Sequence, residues 1–253
     1  MFLGNLGLFL AALCTWACAP PPAPKILWLW ERPEDVRFLA NNPVVNNPDR
    51  FQAAVLAGTL RLRKTGRTTG LERLPRQQSV ALPPDMPQIA VVRIESLPDV
   101  RSELNEDLRR QTAATILHWT RRERGYVEVQ IDYDATLRER SFYKALLNDL
   151  RNGLPNDIPL SVTALASWCL GDRWLGETPV DDAVPMLFEM DLDAQRIRRF
   201  LNEGKDFNEP LCRQSYGLST YEPWPKLKKG RRLFLFHPRP WDHATLNSLR
   251  ISE

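Results

Sequence analysis

From Val127 to Asp134 the chain alternates strictly: Val127, Val129, Ile131 and Tyr133 are separated by Glu128, Gln130, Asp132 and Asp134. A period of two predicts a strand with one apolar face and one polar face. A segment of helical period, Arg138–Leu150 with Phe142, Leu146, Leu147 and Leu150, follows at once and completes a βα unit. With this strand taken as Tyr126–Asp134, seven other segments read as strands: Lys25–Glu31, a less regular one within Phe51–Lys64, Gln88–Glu95, Pro159–Ser167, Ala183–Met190, Tyr216–Glu222 and Arg231–Pro238. Helical period recurs in Arg101–Arg124 and Asp191–Asn202, and Gly125 and Gly153 stand where helix C-caps are expected. Alternating strands and helices predict an α/β fold with a parallel sheet, and eight strands predict closure into a single (β/α)8, TIM-barrel-like domain over residues 25–253. Between Asn41 and Pro87 the period is unclear, so the barrel is expected to be irregular around its second strand.

The N-terminus changes the picture. Residues 1–24 carry no charged side chain, and an apolar run from Leu6 to Leu13 leads into Pro20-Pro21-Pro22-Ala23-Pro24. This reads as a signal peptide or lipoprotein leader with a proline-rich linker. Thr15-Trp16-Ala17-Cys18 resembles a lipobox, with Cys18 as the lipidated residue. The expectation is an exported protein, periplasmic or lipid-anchored, touching a membrane only through Cys18. A net charge of +3 does not argue for nucleic acid, because the basic residues are interleaved with acids, as in Arg121-Arg122-Glu123-Arg124. Lys226 to Arg232 is a basic but short cluster. Of the four cysteines, Cys169 and Cys212 fall in the domain. Export permits their pairing, but regular connectivity places them at opposite rims, so a bridge requires the 203–215 segment to climb the barrel.

Candidate chemistry follows from the strand ends, which in such barrels converge on one mouth. They offer Glu31, Glu95, Asp132 with Asp134, Ser167-Trp168, Glu189, Glu222 and His237. Asp132 and Asp134 are two residues apart on one face, about 6.8 Å between Cα atoms. Proximity of like charges divides such a pair into a proton donor and an ionised base, the division that glycoside hydrolysis needs. Glu31, Glu95 and Glu222 are candidate second acids. Arg93, sharing a face with Glu95, needs a carboxylate such as Glu128 or Asp132, so a structural ion-pair network is the alternative reading of the same acids. Of the tryptophans (Trp28, Trp30, Trp168, Trp174, Trp224 and Trp241 lie near strand ends or loops), Trp168 and Trp241 are the candidate substrate contacts, together with His237 and Arg93. His118 and His243 form no ligand motif with it, and neither metal nor cofactor is expected. No phosphate-cradling glycine loop, nucleophile elbow or dinucleotide fingerprint occurs.

Five segments carry a family resemblance: Trp28-Leu29-Trp30-Glu31-Arg32-Pro33-Glu34-Asp35, Gln130-Ile131-Asp132-Tyr133-Asp134-Ala135, Leu165-Ala166-Ser167-Trp168-Cys169, Val180-Asp181-Asp182-Ala183-Val184-Pro185-Met186-Leu187-Phe188 and Leu235-Phe236-His237-Pro238-Arg239-Pro240-Trp241. They resemble a bacterial family catalogued as domain of unknown function 3142. The resemblance implies an exported, glycosidase-like TIM barrel and brings no established activity. Thr136 stands where chitinase-like glycosidases place a Glu after the Asp pair, which argues against their substrate-assisted mechanism. The expected function is hydrolysis of an envelope or environmental polysaccharide by paired carboxylates. The alternative is a non-catalytic protein that binds a carbohydrate or cell-envelope glycan on the same scaffold.

Overall fold

The computed structural model describes residues 23–41, 51–66, 68–100, 103–122 and 125–249. The leader to residue 22, with Cys18, lies outside them. In chain order the strands are β1 (Lys25–Leu29), β2 (Glu34–Asp35), β3 (Phe51–Thr65), β4 (Thr68–Pro75), β5 (Val80–Ala81), β6 (Gln88–Ser96), β7 (Tyr126–Asp132), β8 (Leu160–Leu165), β9 (Asp182–Met186), β10 (Ser215–Ser219) and β11 (Arg232–Phe236). The α-helices are α1 (Glu106–Arg122), α2 (Arg140–Gly153), α3 (Ala166–Gly171), α4 (Ala194–Asn202) and α5 (His243–Ser248). Strands β1, β3, β6, β7, β8, β9, β10 and β11 pair in parallel around a ring, and β1 bonds both β3 and β11, so the eight close into a TIM-like barrel.

The alternation that predicted the strands also sorts their faces. Val129, Ile131 and Tyr133 of the β7 segment join Phe142, Tyr143, Leu146 and Leu147 of α2 in the layer between barrel and helices. Ile26, Trp28, Ala54, Leu56, Ile89, Val91, Val184 and Phe234 form a second cluster inside the barrel. At the N-terminal ends of the strands the interior turns ionic. Arg232 pairs with Glu128 and Asp182, each at 2.6 Å. Ser161 donates to Glu128, and Ser215 donates to Asp182. Glu128 is therefore committed to Arg232 and does not partner Arg93 as the sequence allowed. The ionic plug closes that end.

The second strand departs from expectation in the other direction. β3 runs for 15 residues, about 50 Å of strand, and is the longest in the barrel. Its first part pairs with β1, and Gly58 to Thr65 then pair antiparallel with β4 on the same side. The unclear period reflects a hairpin that rises beyond β1: Leu60 and Leu62 face the helical layer, while Arg61 and Arg63 lean on Glu72. Arg76 fastens the base of this hairpin, donating to the carbonyls of Leu29, Trp30 and Arg32. Gly153 is the last residue of α2 and not a cap. A Cβ there would lie 2.3 Å from Leu117 Cδ1, so this glycine lets α1 and α2 approach.

Cys169 and Cys212 form a disulfide, with Cα atoms 5.8 Å apart. The climb is made because α3 folds back immediately from β8, and the segment before β10 docks on it. The N–H groups of Asn208 and Glu209 donate to the Cys169 carbonyl at 3.0 and 3.1 Å, and the Asn208 amide donates to the Leu170 carbonyl.

Candidate active site

The C-terminal ends of β3, β6, β7 and β8 bring together the polar wall of the mouth. Thr59, Arg93 and Asp132 are successive partners across β3, β6 and β7, and Thr163 follows on β8 and donates to Asp132 Oδ1 at 2.7 Å. All four therefore point inward at one level. Arg93 donates from Nε to Glu95 Oε1 at 3.0 Å, and its Nη1 reaches Asp132 Oδ2 only at 3.4 Å. Arg61 holds the other Glu95 oxygen at 3.1 Å. Glu95 is thus clasped between two guanidinium groups. Asp132 is left with one hydroxyl donor and one long ionic contact.

Burial dominates the chemistry of Asp132. Only 8% of the residue is exposed, and desolvation pushes its carboxyl up to about 6, with Arg93 opposing and the charge of Asp134 reinforcing the rise. One step higher on the same face, Asp134 is exposed and makes no side-chain hydrogen bond or ion pair among the described residues. Desolvation against the wall raises its carboxyl too, again opposed by Arg93. Both carboxyls are thus raised, by burial before proximity: a buried member that keeps its proton to about pH 6, and an exposed one above it.

The other acids separate. Glu31 leans from the end of β1 to accept a hydrogen bond from Thr59 at 3.1 Å, which keeps it on the polar wall. Glu222 turns away. It accepts the Glu189 N–H at 2.9 Å and pairs with Arg198 of α4, so it latches two loops together.

Three expected substrate contacts are corrected by burial. β8 ends at Leu165, two residues early, and α3 carries Trp168 into the outer layer, 4% exposed against Trp174 and beneath Arg140. Trp241 is 3% exposed, with its indole N–H donating to the Trp28 carbonyl at 3.3 Å. His237 bonds Thr220 at 2.7 Å and lies between the rings of Tyr221 and Trp241. Burial, with Arg239 and Arg32 nearby, lowers its pKa, so it is neutral at pH 7. None of the three presents a free face to the mouth. Trp30 does: it is partly exposed, continues the inward face of Ile26 and Trp28, and carries the Arg93 guanidinium 5.2 Å from its ring centre. Strand parity alone singles it out.

Residues 84–177 match the family model for a domain of unknown function, DUF3142. The DUF3142 segment holds β6, β7 and β8, and with them Arg93, Glu95, Asp132, Asp134 and Thr163. The resembling segments near Trp28, Val180 and Leu235 lie outside the match. No curated protein matches the chain. Among solved structures, the chitinase domain of the spore coat protein CotE from Clostridium difficile is similar at a TM-score of 0.41 and 13% identity, over 84% of this chain and 70% of that one. A likeness at that level bears on no point of chemistry.

One residue of the DUF3142 segment escaped the sequence reading. Glu139 is fully buried outside the barrel and gathers four donors: Ser96 Oγ, Tyr133 Oη at 2.9 Å, Thr136 N–H at 2.7 Å and Thr136 Oγ1 at 2.5 Å. Thr136 is thereby turned away from the mouth, and the loop carrying Asp134 is pinned. Burial alone would raise the Glu139 carboxyl, but the hydrogen bonds from Ser96, Thr136 and Tyr133 prevail and hold it below 4.5. Its stabilising contribution is therefore present above the unfolded value and lost as pH falls through the folded one. Glu139→Gln offers one acceptor oxygen to four donors and is expected to destabilise the protein by about 2 kcal/mol. Urea unfolding at pH 7 and pH 4 checks this, with the smaller difference at pH 4.

Proposed function

We propose that this protein is exported and hydrolyses a glycosidic bond at the barrel mouth, acting on an envelope or environmental glycan. Asp132 is the proton donor at the floor of the well, and Asp134 is the ionised carboxylate above it. Glu31 is the remaining second acid on the same wall. The observation carrying this reading is that a buried carboxyl retains its proton to about pH 6 directly beneath an open, unengaged one. Groups so divided suit general acid and base work. The Cys169–Cys212 bridge supports export, because disulfides persist in oxidising compartments. Lipidation of Cys18 is part of the same proposal.

Reducing-sugar release from a polysaccharide panel tests it. Turnover should fall as pH rises above about 6, when Asp132 loses its proton. Asp134→Asn should reduce turnover by at least about 100-fold. Equal activity in the variant would remove the pair from the mechanism.

A second reading, binding without turnover, draws on Glu95, whose clasp by Arg61 and Arg93 is what a structural ion-pair network looks like. No release from any substrate, together with a saturable change in the fluorescence of Trp30, would favour it.

A further inference from the structure

The mouth has two unlike halves. On β3, β6 and β7 it presents Arg61, Arg93, Glu95, Asp132 and Asp134. Across from them, on β8, β9 and β11, the lining is apolar, with Ser219 of β10 between. Leu165 continues the inward face of Thr163 at the end of β8, next to Asp134 on β7, yet it is 40% exposed. Its register partner on β9 is Met186, which is also partly exposed. Phe188 lies 4.7 Å from Phe236 of β11, and Phe236 lies 3.8 Å from Trp28 of β1, between ring centres. The apolar lining thus runs from the elbow of Asp134 around to Trp28 with Trp30. Beyond it, Leu192 and Tyr221, in the loops after β9 and β10, are exposed as well, and so are Leu97 and Leu137 in the loops after the polar strands β6 and β7.

A sugar alone does not account for this lining. Pyranose faces stack on flat rings and their hydroxyls need polar partners, and neither Leu165 nor Met186 supplies these. Exposed aliphatic side chains at the mouth are relieved of water only by an apolar partner. The polar wall, in turn, gives a wholly apolar ligand nothing to match its acids and guanidinium groups. One molecule with both characters satisfies both halves.

We propose that the ligand of this mouth is a glycan bearing an apolar aglycone, an alkyl or acyl chain. The sugar faces Arg93, Asp132 and Asp134, and the chain lies along Leu165, Met186 and Phe188 toward the rim. The proposal rests on the glycan reading above and narrows it to amphiphilic glycoconjugates.

Titration of the full chain with methyl, hexyl and octyl glycosides of glucose and N-acetylglucosamine, below micellar concentrations and followed by tryptophan fluorescence, tests it. Affinity should rise by up to about fourfold for each methylene buried. Leu165→Gln, a change at an exposed position, should flatten that rise with chain length. Equal affinity for methyl and octyl glycosides would overturn the inference and keep the glycan reading. An octyl oligo(ethylene glycol) ether separates the two in the other direction: if it binds as tightly as the octyl glycosides, the apolar half stands and the glycan reading falls. Failure of every octyl compound to bind overturns the inference outright.

Discussion

Replacing Asp132 with asparagine is expected to make the barrel more stable at neutral pH. Asp132 is buried and its folded carboxyl titrates near 6, against an ordinary value of 3.8. A group whose pKa is raised on folding destabilises the native state wherever it must ionise. A displacement of this size corresponds to roughly 3 kcal/mol. Below about pH 4 the group is protonated in both states and the penalty is absent. Between about 4 and 6 only the unfolded chain sheds the proton, so wild-type stability falls as pH rises, and above 6 the full penalty applies. Asparagine keeps the acceptor for Thr163 Oγ1 but has no charge to desolvate. It presents an N–H to Arg93, which already holds Glu95, so the gain should be roughly 2–3 kcal/mol at pH 7. Chemical denaturation across pH 4 to 8 is the check: the two proteins should converge at the acid end, separate between about pH 4 and 6, and keep a constant difference above that. Equal stability at pH 7 would mean that Asp132 is not desolvated, and the assignment of the proton donor would go with it.

Arg232→Met is expected to do the opposite at the other end of the barrel. Arg232 is the cation shared by Glu128 and Asp182, whose side chains are 5% and 4% exposed. Burial works against the charge on Arg232, but the two carboxylates outweigh this and raise its pKa. Burial likewise pushes the Asp182 carboxyl up, and Arg232 opposes it. Without the guanidinium, two carboxylates would be left in the barrel core with only hydroxyl donors. Breaking a buried pair from one side typically destabilises by about 3–5 kcal/mol. The loss should shrink as pH falls and the stranded acids take up protons. Replacing all three, as Arg232→Met with Glu128→Leu and Asp182→Leu, should recover most of the stability, because the desolvation of the carboxylates is removed with their partner. Thermal unfolding of the single and triple variants distinguishes this from a simple loss of packing.

Much of the fold is legible in the chain because strand parity is a local property. All eight barrel strands lie where alternation or an apolar run marks them, and the inward set Glu128, Gln130, Asp132 follows from period two alone. Parity also carries Trp30, but aromatic content near strand ends drew attention to Trp168 and Trp241 instead. Those two were misplaced because a strand end does not announce where the chain starts to turn. β8 stops at Leu165, and the residues beyond face the helical layer. Partnerships between distant strands were not legible. Glu128 and Arg232 are 104 residues apart, and only closure of the barrel makes them neighbours. The hairpin of β3 and β4 hid for a related reason: its two faces meet a helix and a mouth, so neither face gives a clean apolar period. The fate of Glu139, buried by four donors outside the barrel, depends on a loop geometry that no pattern of apolar residues encodes.

The ionic plug and the point of chain entry sit at the same end. Lys25, the first residue of β1, pairs with Leu233 beside Arg232, so whatever precedes it joins the barrel at the floor and not at the mouth. A tether attached there would hold the molecule upright on its support, with the opening turned outward. So tethered, the barrel would meet what arrives from the surroundings, with the surface beneath the tether out of its reach.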